Sequence, residues 1–274
     1  MFGELESDSP YEKVTRFLRA TYWLTLSIVI GPTAYLMTCL AFLPLRIIAP
    51  ELYKRIENFL CSNMNKMFGV LACTSGFEIL EYGDDVDALS SEKCLVMINH
   101  QSHADHFPLL SAFAKKSSGH GAPVWMVYKF PALRWCPLGI AWAHHGNFFV
   151  QVGRPQVEMN RLKRHLKDVY FKRDMDWLVL YPEGATLPKY KLKSQEYAKE
   201  HGFPHLNHSA LPRIAALKTV LDENKKKIEN GCSAPIKYII DVTMAWKGGY
   251  APFIDDMFGS YRSPQKTHLL YRVY

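Results

Sequence analysis

The chain has 274 residues, 48% of them hydrophobic and 22% charged, with a formal net charge of +7. That length carries one substantial α/β domain plus a short attachment element, and that composition excludes a disordered chain. The positive surplus suits anionic lipid or a polyanionic small molecule. With neither zinc-finger spacing nor an RNP-like aromatic strand, it gives no nucleic-acid partner. The six cysteines, Cys39, Cys61, Cys73, Cys94, Cys136 and Cys232, form no CxxC pair and read as small apolar groups rather than a disulfide framework or a thiolate metal site.

The first element is apolar. Between Arg19 and Arg46 lie 26 residues without a formal charge. As a helix they reach roughly 39 Å, enough for a tilted membrane span. Tyr22 and Trp23 stand at one end, where amphipathic rings prefer the headgroup level. Gly31-Pro32 interrupts the segment, because proline removes a helical hydrogen bond. A kinked full span, a re-entrant or interfacial hairpin and a buried soluble helix are all compatible with this pattern. The next helix, Tyr53 to Leu71, places Ile56, Leu60, Met64, Met67 and Leu71 at helical spacing, an apolar stripe for the bilayer or the following domain. The expected division is residues 1–75 as a membrane-anchoring helical region and 76–274 as a catalytic domain.

From Phe77 onward short apolar runs alternate with helical periodicity. Strands are expected at 77–80, 94–99, 122–128, 146–152, 177–182, 236–246 and 267–274, with helices following Ser102 and spanning Gln156 to Tyr170. The pattern predicts an α/β fold with a mixed, substantially parallel sheet flanked by helices. Leu221 to Gly231 reads as an exposed helix end and loop. The alternation at 267–274 lies at the end of the chain, so a truncated domain with an uncovered sheet edge is expected there.

The sharpest feature is CLVMINHQSHADHF. An apolar strand ends at Asn99-His100, and Ser102 and Asp105 have capping-box spacing that places Asp105 in the first helical turn. Asp105 can then turn back toward the His100 ring, holding one nitrogen protonated and leaving the other as a base. A His–Asp pair without a dedicated nucleophile suits direct attack by a substrate hydroxyl on an activated acyl group. Ser102 is better used as a cap than as a nucleophile. His103 and His106 lack HExxH spacing, so no metal is expected. A second run, HGNFFVQVGR, delivers Arg154 past a strand end, where a guanidinium can grip phosphate. A third, WLVLYPEGATLPK, ends a strand at the Pro182-Glu183-Gly184 turn. His100, Arg154 and Glu183 thus share the carboxyl edge of one sheet, where α/β domains place their sites.

Together these runs resemble the glycerolipid acyltransferase family. Asn99, His100 and Asp105 match its NHxxxxD signature; Gly146 to Arg154, Glu183-Gly184-Ala185-Thr186 and Leu211-Pro212 match its other motifs in order. Within that family the likeness is closest to the acyl-CoA:lysophosphatidylglycerol acyltransferase branch and extends over essentially the whole chain. The resemblance implies an acyl-CoA:lysophospholipid O-acyltransferase of the endoplasmic reticulum membrane, its catalytic domain facing the cytosol. The acceptor would be lysophosphatidylglycerol or lysophosphatidylethanolamine. Acyl-CoA is a co-substrate and no cofactor is expected; the remaining partner is the lipid bilayer.

By the same resemblance His100 deprotonates the acceptor and Asp105 supports it, Arg154 binds the acceptor phosphate, Glu183 positions the acceptor and Gly184 shapes the turn. Asn99, Ser102, Pro182 and Pro212 support the motifs. The sequence departs from the family at Ala185 and Thr186, where threonine and arginine are usual. One phosphate donor is therefore missing, and Lys189 is the expected partial replacement. Rival readings are an acyltransferase acting on lysophosphatidic acid or monoacylglycerol, and a catalytically silent lipid-binding scaffold.

Overall fold

The computed structural model describes residues 9–116, 122–128, 133, 135–151, 153–231, 234–249, 251–252, 254–259 and 265–274. Ser9 starts helix α1 (Pro10–Leu24) with a capping box closed by Glu12. A widened turn at Thr25–Ile30 leads into α2 (Gly31–Ala41). In that turn the Gly31 N–H reaches back five residues to the Leu26 carbonyl. The widened turn accommodates Pro32, which has no N–H to give and whose ring crowds the preceding turn. The helix therefore runs without a break for 32 residues, Pro10–Ala41. At Gly31-Pro32 the helix changes pitch locally instead of ending.

The chain then turns through the short α3 (Leu45–Ile48) and returns in α4 (Pro50–Thr74). Arg19 donates to Ser75 Oγ at 2.7 Å, Gly31 packs against Met67, and Tyr35 donates to Glu57. These contacts define an antiparallel hairpin whose two open ends lie together and whose tip is residues 42–49.

Seven strands follow among the described residues: β1 (Phe77–Gly83), β2 (Cys94–Ile98), β3 (Val124–Tyr128), β4 (Phe148–Val150), β5 (Trp177–Leu180), β6 (Tyr238–Trp246) and β7 (Gln265–Val273). The helices between them are α5 (His106–Lys116), α6 (Pro137–His145), α7 (Pro155–His165), α8 (Leu187–His201), α9 (Ile214–Glu229) and α10 (Ile254–Gly259). The sheet order is β1-β7-β6-β2-β5-β3-β4, and only β6 and β7 pair antiparallel. The expected mixed, largely parallel sheet is observed.

Side chains alternate across this sheet. Val96, Ile98 and Val179 face one core, shared with Phe68 and Leu71 of α4 and Leu109 and Phe113 of α5. Leu95, Leu178 and Leu180 face the other, shared with Leu162 of α7 and Val220 of α9. Strands buried on both faces need the near-continuous apolar runs seen in the sequence. Gly69 lets α4 approach α5 closely, since a Cβ there would stand 2.9 Å from Ser111 Cα.

One expectation needs correction. Strand β7 is not at an uncovered edge; it is inserted between β1 and β6, bonded on both sides, and the edges are β1 and β4. Leu221 to Gly231 is the helix end and following turn that the sequence suggests: α9 runs to Glu229, with Lys218–Asp222 and Lys225–Glu229 pairs on its surface, and the chain leaves the helix at Asn230.

A buried ion pair clips the hairpin to the domain. His145 Nδ1 faces Glu57 Oε1 at 2.8 Å, and its Nε2 faces the Ala122 carbonyl at 3.0 Å. Both partners are acceptors, so both imidazole nitrogens carry protons. Burial opposes the His145 charge, yet the adjoining Cys61 sulfur and Glu57 carboxylate together hold its pKa well above the ordinary value. Burial likewise opposes the Glu57 charge, yet His145 keeps its pKa below the ordinary value. Cys61 places its sulfur in the same cluster, with donor atoms of all three residues within 4.8 Å. The direct Glu57–His145 contact makes this an ion pair.

The raised histidine contributes stability that is complete below about pH 6.5 and lost as pH rises through its folded pKa. The lowered carboxylate contributes stability present above about pH 4.5 and lost as pH falls through its folded pKa. Glu57→Gln should therefore destabilise the protein by about 3–5 kcal/mol near pH 6 and by progressively less at alkaline pH. Thermal unfolding of parent and variant in detergent across that range measures it; a pH-independent difference would show that packing, not charge, is what the variant removes.

Candidate active site

β2 ends where its neighbour β6 continues, and Asn99 bridges the gap. Its side-chain amide donates to the Met244 carbonyl at 3.0 Å and accepts from the Met244 N–H at 2.6 Å, replacing a peptide unit with the one side-chain type that carries both groups. The next residue, His100, is thereby set at the carboxyl edge of the sheet. The His100 N–H donates to Glu183 Oε1 at 3.1 Å, and the His100 carbonyl accepts from Leu187 N–H at 2.8 Å.

Asp105 lies in the single tight turn, His103–Asp105, that precedes α5. Ser102 caps that turn, accepting from Ala104 N–H and donating to the Pro252 carbonyl, so its hydroxyl is committed to structure. The Asp105 carboxylate is wholly buried. Its Oδ2 accepts from Gln101 N–H at 2.7 Å and Ser102 N–H at 2.8 Å, and its Oδ1 accepts from the Trp246 indole at 3.1 Å. Oδ2 also stands 3.0 Å from His100 Nδ1. With both oxygens already accepting N–H bonds, Asp105 acts toward the imidazole as an acceptor. Nδ1 therefore holds the proton and Nε2 keeps the lone pair.

Tyr181 stacks on the His100 ring, centroids 4.0 Å apart and planes 20° apart. His106 approaches edge-on at 5.8 Å; burial, with His100 and His103 nearby, pushes its pKa down to about 3, so it stays neutral. These groups line a cavity of about 400 Å³. Its walls are largely apolar, with Met126, Val150 and Leu180 from the sheet, Met159 from α7, and Ala215 and Ala216 from α9.

A worm protein, "Putative 1-acyl-sn-glycerol-3-phosphate acyltransferase acl-12" of Caenorhabditis elegans, is 30% identical over 264 residues, which is 93% of this chain and 67% of that one. The chain belongs to the glycerolipid acyltransferase family. The Acyltransferase family profile matches residues 80–209 of it. The acyltransferase is also 27% identical to human Acyl-CoA:lysophosphatidylglycerol acyltransferase 1, over 95% of its own length and 74% of that protein. Its fold matches the crystal structure of PlsC, the 1-acyl-sn-glycerophosphate acyltransferase of Thermotoga maritima, with a TM-score of 0.52 at 14% identity, covering 95% of this chain and 85% of that one.

In this acyltransferase the residues singled out from sequence are distributed unequally. His100, Pro182 and Gly184 line the cavity, while Asp105 and Asn99 stand behind His100. Gly184 has a φ of +70°, a left-handed conformation that favours glycine. Glu183 spends both oxygens inside the protein, Oε1 on His100 N–H and Oε2 on Ala210 N–H, and burial raises its pKa. Whatever positioning it provides runs through the His100 loop.

Arg154 is exposed at the start of α7, between Gly153 and Pro155, which line the cavity. Pro212 is exposed beside Arg213. Lys189 belongs to α8, and its side chain lies outside the described residues. Sequence reasoning did not find Trp246, Tyr181 or Arg213. The first two end strands at the same sheet edge as His100, a positional signal that was available.

Replacing His100 by alanine should lower turnover by roughly 10²–10⁴-fold while the fold persists. Asp105→Asn should lower turnover and also stability, since the amide must present a donor to groups that are all N–H donors. Acyl transfer assayed beside thermal unfolding separates the two; a turnover loss in Asp105→Asn with unchanged stability would contradict the four-donor carboxylate.

Proposed function

We propose that the protein is an acyl-CoA-dependent O-acyltransferase that reacylates a lysophospholipid, with lysophosphatidylglycerol or lysophosphatidylethanolamine as acceptor. The observation that carries this reading is the orientation of His100. Asp105 fixes its Nδ1 as donor at 3.0 Å and leaves Nε2 as the base of a histidine that lines the cavity. In this reading the acceptor hydroxyl gives its proton to Nε2 as its oxygen attacks the thioester carbonyl. The tetrahedral centre collapses by breaking the carbon–sulfur bond, and the CoA thiolate leaves without needing a strong acid. The apolar walls suit an acyl chain. Ser102, held as a cap, gives no support to an acyl-enzyme through its hydroxyl.

The hairpin supports attachment to a bilayer, the endoplasmic reticulum membrane in this proposal, with the catalytic domain on the cytosolic side. Helix Pro10–Ala41 is long and apolar enough to cross a membrane. At the tip, Ile47 and Ile48 are 88% and 78% exposed, with Phe42 and Leu43 beside them. α4 returns with Lys54, Arg55 and Lys66 among its residues, a poor second span but a good interfacial helix. Both open ends of the hairpin meet the domain, so a tip-first insertion enters and leaves from one side.

A panel of lyso-acceptors with one radiolabelled acyl-CoA tests the substrate assignment. The expected order is lysophosphatidylglycerol or lysophosphatidylethanolamine above lysophosphatidic acid and monoacylglycerol, and preference for lysophosphatidic acid would replace the acceptor assignment. The double substitution Ile47→Asp with Ile48→Asp should weaken liposome flotation while leaving acylation of detergent-dispersed acceptor within a few-fold. Undiminished flotation would remove the tip from the attachment.

A further inference from the structure

At the position where the family usually carries its third-motif arginine, this chain has Thr186, a buried residue in the cavity wall. The structure brings another guanidinium to the same place from a different element. Arg213, the residue after Leu211-Pro212, lines the cavity together with His100, Gly184 and Thr186. Its backbone N–H donates to the Pro182 carbonyl at 2.7 Å, so the third-motif turn itself holds it. Its side chain lies across Gly184, where an added Cβ would stand 3.2 Å from Arg213 Cδ. The guanidinium carbon sits 4.7 Å from the centroid of the Tyr190 ring, a second wall of the cavity. A guanidinium over an aromatic face keeps its edge donors outward.

Charge in the cavity wall is otherwise neutralised. Glu158 is held by Arg161 at 2.6 Å and by Gln151 N–H at 2.9 Å. Among the described residues no carboxylate pairs with Arg213. An arginine positioned at its backbone and at its ring face, but with no acid at its donors, is arranged for an incoming anion.

Resting on the acyltransferase reading above, we propose that Arg213 is a phosphate ligand for the lysophospholipid acceptor, supplying from the fourth-motif loop the charge missing at Thr186. A negatively charged phosphate is the chemistry recognised, and both substrates carry it: the acceptor in its headgroup linkage, acyl-CoA in its nucleotide. The cavity position beside His100 favours the acceptor, because the acceptor hydroxyl must reach Nε2 while its phosphate lies a short distance away along the same molecule.

The test is steady-state kinetics of Arg213→Ala and Arg213→Lys on lysophosphatidylglycerol and on monoacylglycerol, with acyl-CoA varied separately. The expected result is a loss in kcat/KM for the phosphate-bearing acceptor roughly 10- to 100-fold greater than for monoacylglycerol, with lysine recovering only part of it. The double variant Arg213→Ala with Thr186→Arg should restore part of the lost acceptor discrimination, which a purely structural role would not allow. Equal losses on both acceptors, or a loss confined to the KM for acyl-CoA, would overturn the proposal, the latter in favour of a CoA phosphate.

A turnover-independent measurement keeps this apart from the substrate reading. Phenylglyoxal modification of Arg213, mapped by mass spectrometry, should be slowed by lysophosphatidylglycerol and not by monoacylglycerol. Protection without turnover would leave Arg213 in place and remove the acyl-transfer reading; turnover without protection would do the reverse.

Discussion

The site depends on one buried carboxylate. An isolated carboxylate with no exposure would be costly to keep charged, and Asp105 is tolerable only because four N–H groups converge on it. Two of the four are backbone amides of the turn that Asp105 itself closes, one is the Trp246 indole from β6, and one is His100. The same contacts that solvate the charge therefore fold the His100 loop, fasten it to a neighbouring strand and set the imidazole tautomer. Chemistry and local folding are not separable here: removing the carboxylate leaves four donors without a shared acceptor, whereas removing the imidazole leaves three of the four bonds in place.

Around that centre, polar side chains do the work of backbone wherever the regular ladder stops. Asn99 substitutes for a peptide unit between β2 and β6, and Glu183 ties the His100 loop to Ala210 with one oxygen each. Ser102 closes the other side on Pro252. The proposed base is thus braced from three loops that are distant in sequence. The hairpin is fastened by a different device, the Glu57–His145 pair, whose two charges come from α4 and from the end of α6, just before β4 and the Arg154 loop. The N-terminal hairpin and the cavity wall share a connected scaffold.

Much of this was legible because it is local. The NHxxxxD spacing contains the strand end, the cap and the returning aspartate within seven residues, so Ser102 and Asp105 read correctly from capping chemistry alone. Strand positions were legible because doubly buried strands leave continuous apolar runs. The insertion of β7 between β1 and β6 was not, since strand order is a long-range property that no local pattern encodes. Glu183 looked like a group aimed at substrate because its turn lies at the right edge; its two partners, His100 N–H and Ala210 N–H, are backbone groups that no side-chain pattern reveals. Arg213 was hidden differently. It follows a recognised motif directly, but its place in the cavity follows from the Pro182 carbonyl and the Tyr190 ring, contacts made across 31 and 23 residues of sequence. Gly31-Pro32 was legible as a perturbation, while the widened turn that absorbs it required the backbone itself.

The central proposal is that the acceptor oxygen attacks the thioester directly, with His100 as base and no acyl-enzyme between. Rapid-quench mixing of the protein with labelled acyl-CoA, with and without lysophosphatidylglycerol, followed by intact-mass analysis, tests it most directly. The account predicts that CoA and acylated phospholipid appear together, that no CoA is released in a burst without acceptor, and that the protein mass stays unchanged. A burst of CoA without acceptor, with one acyl group on the protein that later passes to lysophospholipid, would contradict it.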